Sequence, residues 1–261
     1  MDVLARIQEA LEAAASVIKD FTSGRIDADR KKGGDPVTEA DRAVNQALHA
    51  LLPRDNEGWL SEETVDDKSR LDQRRVWVVD PLDGTKEFVT GIPEWCVSVG
   101  FVENGAPVAG GIFNPATGEK IVGARGHGVL YNGEPAQMSH RRSLEGGLVL
   151  ASRSEVDRGE WKAFEEADFE VRPVGSVAYK LALVAAGKAD ATWTIVPKNE
   201  WDVAAGAALV LAAGGSIYEP EGGLPEFNRE NTLLRGLVAN PKSLDEAVKD
   251  QITFALQARL R

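Results

Sequence analysis

The chain has 261 residues, enough for one large domain or two modest ones sharing an interface. Its 43% hydrophobic and 27% charged residues are those of an ordinary globular protein, and a net charge of −11 argues against a nucleic-acid-binding surface, which needs clustered Lys and Arg. The single cysteine, Cys96, excludes an internal disulfide framework and a cysteine-rich zinc site, and points to a reduced, cytoplasmic setting.

Val3, Leu4, Ile7, Leu11, Ala14, Ala15 and Ile18 recur at helical spacing, so the chain opens with an amphipathic helix. Asp2, Arg6, Glu9, Glu12 and Lys19 in the same stretch argue against a signal peptide. Gly24–Asp35 is polar and reads as a loop. Thr38 and Asp41 resemble a capping box, and Ala43, Val44, Ala47, Leu48 and Leu51 continue as a second helix. A charged loop over Asp66–Arg75 leads into a buried strand, Val76–Val79, that stops at Asp80. Cys96–Val102 alternates, Asn104-Gly105 turns into Val108–Phe113, and short strands follow near Lys120–Gly123 and Val129–Tyr131, giving an antiparallel meander.

After about residue 145 the pattern changes. Strands are expected at Leu148–Ala151, Glu170–Val174, Ala191–Ile195, Ser216–Glu219 and Gly236–Ala239. Helices are expected at Asp157–Glu166, Ser176–Ala186, Asp202–Ala213 and Ser243–Leu260. Strands alternating with helices imply an α/β layer. The chain thus divides into an α+β part over 1–144, with the antiparallel sheet, and an α/β part over 145–261. The longest small-apolar run, Val203 to Gly215, is too short for a bilayer span, which needs about 20 residues, so no membrane partner is expected.

The sharpest local feature is Val76-Trp-Val-Val-Asp80-Pro-Leu-Asp83-Gly-Thr85. A buried strand delivers two carboxylates onto a tight turn, where Pro81 fixes φ and Gly84 permits close backbone approach. Magnesium takes hard oxygen ligands, and two such ions about 3.5–4 Å apart stabilise both the attacking and the leaving oxygen of an in-line displacement. Further carboxylates stand in Ser61-Glu62-Glu63-Thr64, at Asp41, and at Asp202 in Glu200-Trp-Asp202. Taken singly, each has a plain alternative: a turn at Asp80, a solvated pair at Glu62, helix caps at Asp41 and Asp202. Spacing excludes two other acidic motifs. Leu82 stands where a haloacid-dehalogenase-type site needs its second aspartate, and an EF-hand begun at Asp80 would put Leu82, Gly84 and Thr85 at its third, fifth and sixth positions.

Together these segments resemble the inositol monophosphatase superfamily of lithium-sensitive magnesium phosphatases, from Asp35-Pro-Val-Thr-Glu-Ala-Asp41 to Trp201-Asp-Val-Ala-Ala-Gly206. The resemblance implies a five-layer αβαβα sandwich and a cofactor of two or three Mg²⁺ ions. It places Glu62, Asp80, Asp83, Asp202 and the Leu82 carbonyl as metal ligands. Glu62 and Thr85 would orient the attacking water, with Asp41 hydrogen-bonded to Thr85, and the backbone N–H groups of Gly84 and Thr85 would bind phosphate. Ser61 departs from the family, in which Gly is common there.

Lys86-Glu87-Phe88, Ser152-Arg153-Ser154 and Gly175-Ser176 further resemble the 3′(2′),5′-bisphosphate nucleotidases. The spacing from Gly175 to Lys180 departs from their Gly-Ser-Ser-Leu-Lys pattern, and Lys180 is not carried over. Expected substrate contacts are Gly84, Thr85, Lys86, Arg153, Gly175, Ser176 and Glu200, with Arg153 gripping a second phosphate bidentately and Glu200 available to ring hydroxyls. The activity implied is phosphate-monoester hydrolysis, foremost on adenosine 3′,5′-bisphosphate. Alternatives are an inositol-1-monophosphatase or broad sugar-phosphate phosphatase, a histidinol phosphatase, and a non-catalytic metal-binding protein. The expected partner is a small phosphate monoester, with no nucleic-acid polymer, and the chain acts as a monomer or homodimer.

Overall fold

A computed structural model describes residues 2–30 and 36–259, so the last five residues of the Gly24–Asp35 loop and the end of the Ser243–Leu260 helix lie outside the described residues. The first helix, α1 (Val3–Ile18), is capped by the Asp2 side chain and buries Ile7, Leu11, Ala14 and Ile18. In α2 (Glu39–Leu51) the capping box is formed in both directions between Thr38 and Asp41.

These two helices cover one face of a seven-stranded sheet. In spatial order its strands are β1 (Gly58–Ser61), β2 (Arg75–Asp83), β3 (Cys96–Glu103), β4 (Ala106–Asn114), β5 (Glu119–Ala124), β6 (Gly128–Tyr131) and β7 (Glu134–Ala136). The meander is antiparallel, but β1 pairs parallel to β2. Four residues were too few for β1 to announce itself by alternation. Along β2 the period of two has a direct consequence: Trp77 and Val79 pack under α1 and α2, while Val76 and Val78 pack against the opposite core. Both faces are buried, which is why the strand reads as a continuous apolar run. It does not stop at Asp80 as expected. Pairing with β3 continues from Asp80–Ser98 to Asp83–Cys96 across a register shift that bulges out Pro81 and Leu82. The six-residue α3 (Thr85–Thr90) follows at once.

The second sheet contains β8 (Leu148–Ser152), β9 (Glu170–Val174), β10 (Ala191–Thr194), β11 (Ser216–Tyr218) and β12 (Leu237–Asn240), ordered β9-β8-β10-β12-β11. The first three are mutually parallel and the last two antiparallel. Directly after β8 comes α4 (Arg153–Asp157). The helix expected over Asp157–Glu166 is absent: Gly159, at φ +77, breaks it, and only a 3₁₀ turn at Lys162–Phe164 remains.

Between the two sheets lie α5 (Val177–Ala185) and α6 (Glu200–Ala212), buried on nearly all sides. Small residues make that possible. A Cβ on Gly110 of β4 would lie 2.3 Å from the Ala205 carbonyl oxygen, and one on Gly206 would lie 2.4 Å from the Leu181 Cβ. The outer face of the second sheet is closed by α7 (Asp245–Arg259), through Val248, Ile252 and Ala255 against Val149, Trp193 and Val238. The layers therefore run αβαβα. Among the described residues no helix is long and apolar enough to cross a membrane.

Candidate active site and metal centre

Three aspartates meet where these layers end. Asp80 and Asp83 arrive on the bulged end of β2, and Asp202 arrives in the first turn of α6. One carboxylate oxygen from each lies within 4.8 Å of the other two. Each also spends an oxygen on the chain. Asp80 Oδ1 accepts from the Leu82 N–H at 2.9 Å, and Asp202 Oδ2 from the Asn199 N–H at 2.9 Å. Asp83 Oδ2 accepts from both Ser176 Oγ and the Ala178 N–H at 2.7 Å. These bonds fix the orientation of the three carboxylates.

Burial, then the charges of Glu62, Asp83 and Asp202, pushes the Asp80 carboxyl well above its usual range. Asp202 is pushed up by burial and by Asp83 and Glu62, and Asp83 by burial against the opposing bonds from Ser176 and Ala178. Buried like charges of this kind are stable only with protons or a cation. The donor set is entirely hard oxygen, which fits magnesium and not a soft metal. Glu62 follows β1, hydrogen-bonded through its N–H to the Val79 carbonyl, and lines the same cavity without joining the tight triplet.

Behind the aspartate cluster, Gly84 adopts φ +97, and a Cβ there would press on the Glu94 carbonyl oxygen and the Trp95 Cα at 3.0 and 3.1 Å. Thr85 Oγ1 lies 3.0 Å from Asp41 Oδ1 and 3.0 Å from the Leu82 carbonyl. Asp41 Oδ2 is held by the Thr38 N–H and hydroxyl. The expected Thr85–Asp41 contact is therefore present, and the cap reading of Asp41 holds as well.

The cavity encloses ≈ 290 Å³ and is lined by Glu62, Asp80, Leu82, Asp83, Gly84, Thr85 and Lys86 from one side. Ser152, Arg153, Gly175, Ser176, Lys198 and Asp202 face them from the other. Two expected substrate contacts are otherwise engaged. The Arg153 guanidinium forks onto Glu94, at 2.6 and 2.8 Å through Nη2 and 3.1 Å through Nε, and also donates to the Pro173 carbonyl. It stands at the cavity, already neutralised. Glu200 lies off the cavity, fully buried, accepting from the N–H groups of Asn228 and Arg229 at 2.7 and 2.9 Å. It anchors that loop and offers nothing to ring hydroxyls. Cys96 is buried in the core, with its thiol pushed up by burial.

Several neighbours were not anticipated. Glu94 holds both Arg153 and the Gly175 N–H. Lys198 lines the cavity with Nζ 3.4 Å from the buried Glu155, whose own partners include the Thr194 hydroxyl. A cation four residues before Asp202 was a usable sign; nothing local marked Glu94. Lys180 also lines the cavity, and burial lowers its ammonium to about 8 although Asp83 opposes the shift.

The pattern of the inositol monophosphatase family matches residues 2–257. An inositol-1-monophosphatase of Mesorhizobium japonicum is 32% identical over 257 residues, covering 95% of this chain and 96% of that protein. A fructose-1,6-bisphosphatase/inositol-1-monophosphatase of Thermotoga maritima is 36% identical over 235 residues, covering 87% of each. The solved Thermotoga maritima IMPase superposes with a TM-score of 0.84 at 28% identity, over 99% of both chains. With this architecture and this constellation of carboxylates, the chain belongs to the inositol monophosphatase family, whose members hydrolyse phosphate monoesters.

Proposed function

We propose that the protein is a magnesium-dependent phosphatase acting on the monophosphate of a small, hydroxyl-rich metabolite such as inositol 1-phosphate or a sugar phosphate. The observation that carries the substrate class is the state of the cavity's cations. Arg153 is matched by Glu94, Arg158 by Glu160 and Lys198 by Glu155, and Lys180 is enclosed by backbone carbonyls. A second substrate phosphate drawing on any of these four would have to displace a partner already in place; Lys86, on the opposite wall, is the other lining cation. The name of the Mesorhizobium relative supports the same class.

Asp80, Asp83, Asp202 and Glu62, with the Leu82 carbonyl, would hold the ions. Bound Mg²⁺ would supply an acidified water and offset the charge of the phosphate. Thr85 has one hydroxyl hydrogen and two acceptors at equal distance, of which the Asp41 carboxylate is the stronger. With that hydrogen directed to Asp41, the Thr85 oxygen accepts from the attacking water and orients it. Glu62, on the same wall, takes the proton that water gives up. The N–H groups of Gly84 and Thr85 receive phosphate oxygens.

A second reading, hydrolysis of adenosine 3′,5′-bisphosphate, is favoured by the clustering of Arg153, Arg158 and Lys198 on one wall, and it requires Arg153 to leave Glu94. Phosphate release from inositol 1-phosphate, fructose 1,6-bisphosphate and adenosine 3′,5′-bisphosphate tests the two. We expect kcat/KM for inositol 1-phosphate to exceed that for the nucleotide by at least about tenfold. A reversed preference that Arg153→Ala abolishes would establish the second reading instead.

A further inference from the structure

Lys180, on α5, is only 4% exposed, yet it lines the cavity wall. Its Nζ donates to three consecutive carbonyls: Val174 at 3.2 Å, Gly175 at 2.7 Å and Ser176 at 2.9 Å. An ammonium has three hydrogens, so its donors are spent and substrate cannot claim them. The first of these carbonyls closes β9 and the other two form the turn into α5. That turn is strained: Ser176 has φ +31, a region that residues with a Cβ rarely adopt.

The far side of the same turn faces Asp83. Ser176 Oγ and the Ala178 N–H both donate to Asp83 Oδ2 at 2.7 Å, while Ser176 Oγ accepts from the Tyr179 N–H at 3.0 Å as the cap of α5. On a third side the Gly175 N–H donates to Glu94 Oε2 at 2.8 Å. A Cβ at Gly175 would meet Glu87 Cγ at 2.5 Å, so the turn cannot shift that way. What the turn presents to the metal centre is a two-donor grip on one oxygen of Asp83.

We propose that Lys180 is a positioning residue for the metal centre: it ties the strained Gly175–Ser176 turn together, and the turn holds Asp83 so that its second oxygen faces the cation. This rests on the reading of Asp83 as a metal ligand. Without the ammonium, the Val174, Gly175 and Ser176 carbonyls lose their shared donor, Ser176 keeping only the longer bond from the Lys180 N–H at 3.3 Å; the turn relaxes, and the Asp83 carboxylate loses its fixed angle. Electrostatics alone predicts the opposite sign. Lys180 is a cation beside a cation site, so removing its charge without disturbing geometry would tighten Mg²⁺ binding.

The test is calorimetric titration of Mg²⁺ into the full chain, wild type against Lys180→Met, with thermal unfolding of each metal-free protein. We expect Lys180→Met to bind Mg²⁺ at least about tenfold more weakly, in line with the 10- to 100-fold typical of lost outer-shell partners. Ser176→Ala should weaken binding in the same direction, and the double variant should lose less than the two combined, because both act through one turn. If Lys180→Met does not fold, Lys180→Gln, whose amide can serve two of the three carbonyls, should weaken Mg²⁺ binding in the same direction by a smaller factor. Unchanged or tighter Mg²⁺ binding, including a lowered Tm with unchanged affinity, overturns the proposal. No Mg²⁺ binding by the wild type removes the metal reading and the proposal with it, whereas equal binding by wild type and Lys180→Met removes the proposal alone.

Discussion

Thr85 Oγ1 and Asp41 Oδ1 lie 3.0 Å apart although 44 residues separate them in the chain. Asp41 can serve Thr85 because its other oxygen is occupied by the Thr38 N–H and hydroxyl, which hold the carboxylate rigidly at the start of α2. One residue thus caps a helix and orients a hydroxyl in the cavity.

Thr85→Val keeps the size of the side chain and removes that hydroxyl. We expect kcat to fall roughly 10²- to 10⁴-fold, the range for loss of a positioned proton-transfer partner, with a smaller change in KM. Asp41→Asn on top of it should add little, since both act on the same water. Steady-state kinetics of the three variants checks this; a Thr85→Val enzyme within threefold of wild type would remove the hydroxyl from the reaction.

Glu200 tests the division between structure and site. Glu200→Ala leaves the N–H groups of Asn228 and Arg229 without their buried carboxylate, which should cost roughly 2–3 kcal/mol of stability. KM for inositol 1-phosphate should stay within about twofold. Denaturant unfolding and kinetics on one preparation decide it: an unchanged midpoint with a raised KM would return Glu200 to the substrate.

The aspartate cluster gives stability an unusual pH dependence. Asp80, Asp83 and Asp202 all titrate above their ordinary 3.8 in the folded chain. The metal-free folded state therefore binds protons more tightly than the unfolded chain, and its stability falls as pH rises above about 4 toward the folded pKa values. Mg²⁺ substitutes for those protons. The gain in Tm on adding Mg²⁺ should be larger at about pH 7.5 than at about pH 5. An equal or smaller gain at the higher pH would contradict the assigned role of the cluster.

Much of this site was legible because its chemistry is local. The apolar run before Asp80 forces a strand buried on both faces, and although Pro81 and Leu82 form a bulge rather than the expected turn, Asp80 and Asp83 could be placed from ten residues. The Thr38–Asp41 pair announced its cap in the same way. Arg153 was not legible: its partner, Glu94, is 59 residues away, and no pattern tells an arginine at a strand end that it will meet a carboxylate. Glu200 misled through proximity to Asp202. Residues two apart on a helix point in different directions, so when Asp202 faces the cavity Glu200 turns into the protein. Lys180 was set aside on spacing, and only the turn of Ser176 shows what its ammonium holds.

The most direct measurement is phosphate release by wild type and Asp83→Asn, each with Mg²⁺, with chelator, and with Mg²⁺ restored. Asp83 receives the two donors from α5 and shares the convergence with Asp80 and Asp202, so its loss disturbs the metal site and its support together. We predict wild-type turnover that vanishes with chelator and returns with Mg²⁺, and a fall of about 10³-fold or more in the variant. Undiminished turnover by the fully chelated wild type, or by Asp83→Asn, would contradict the assignment of this cluster as the catalytic metal centre.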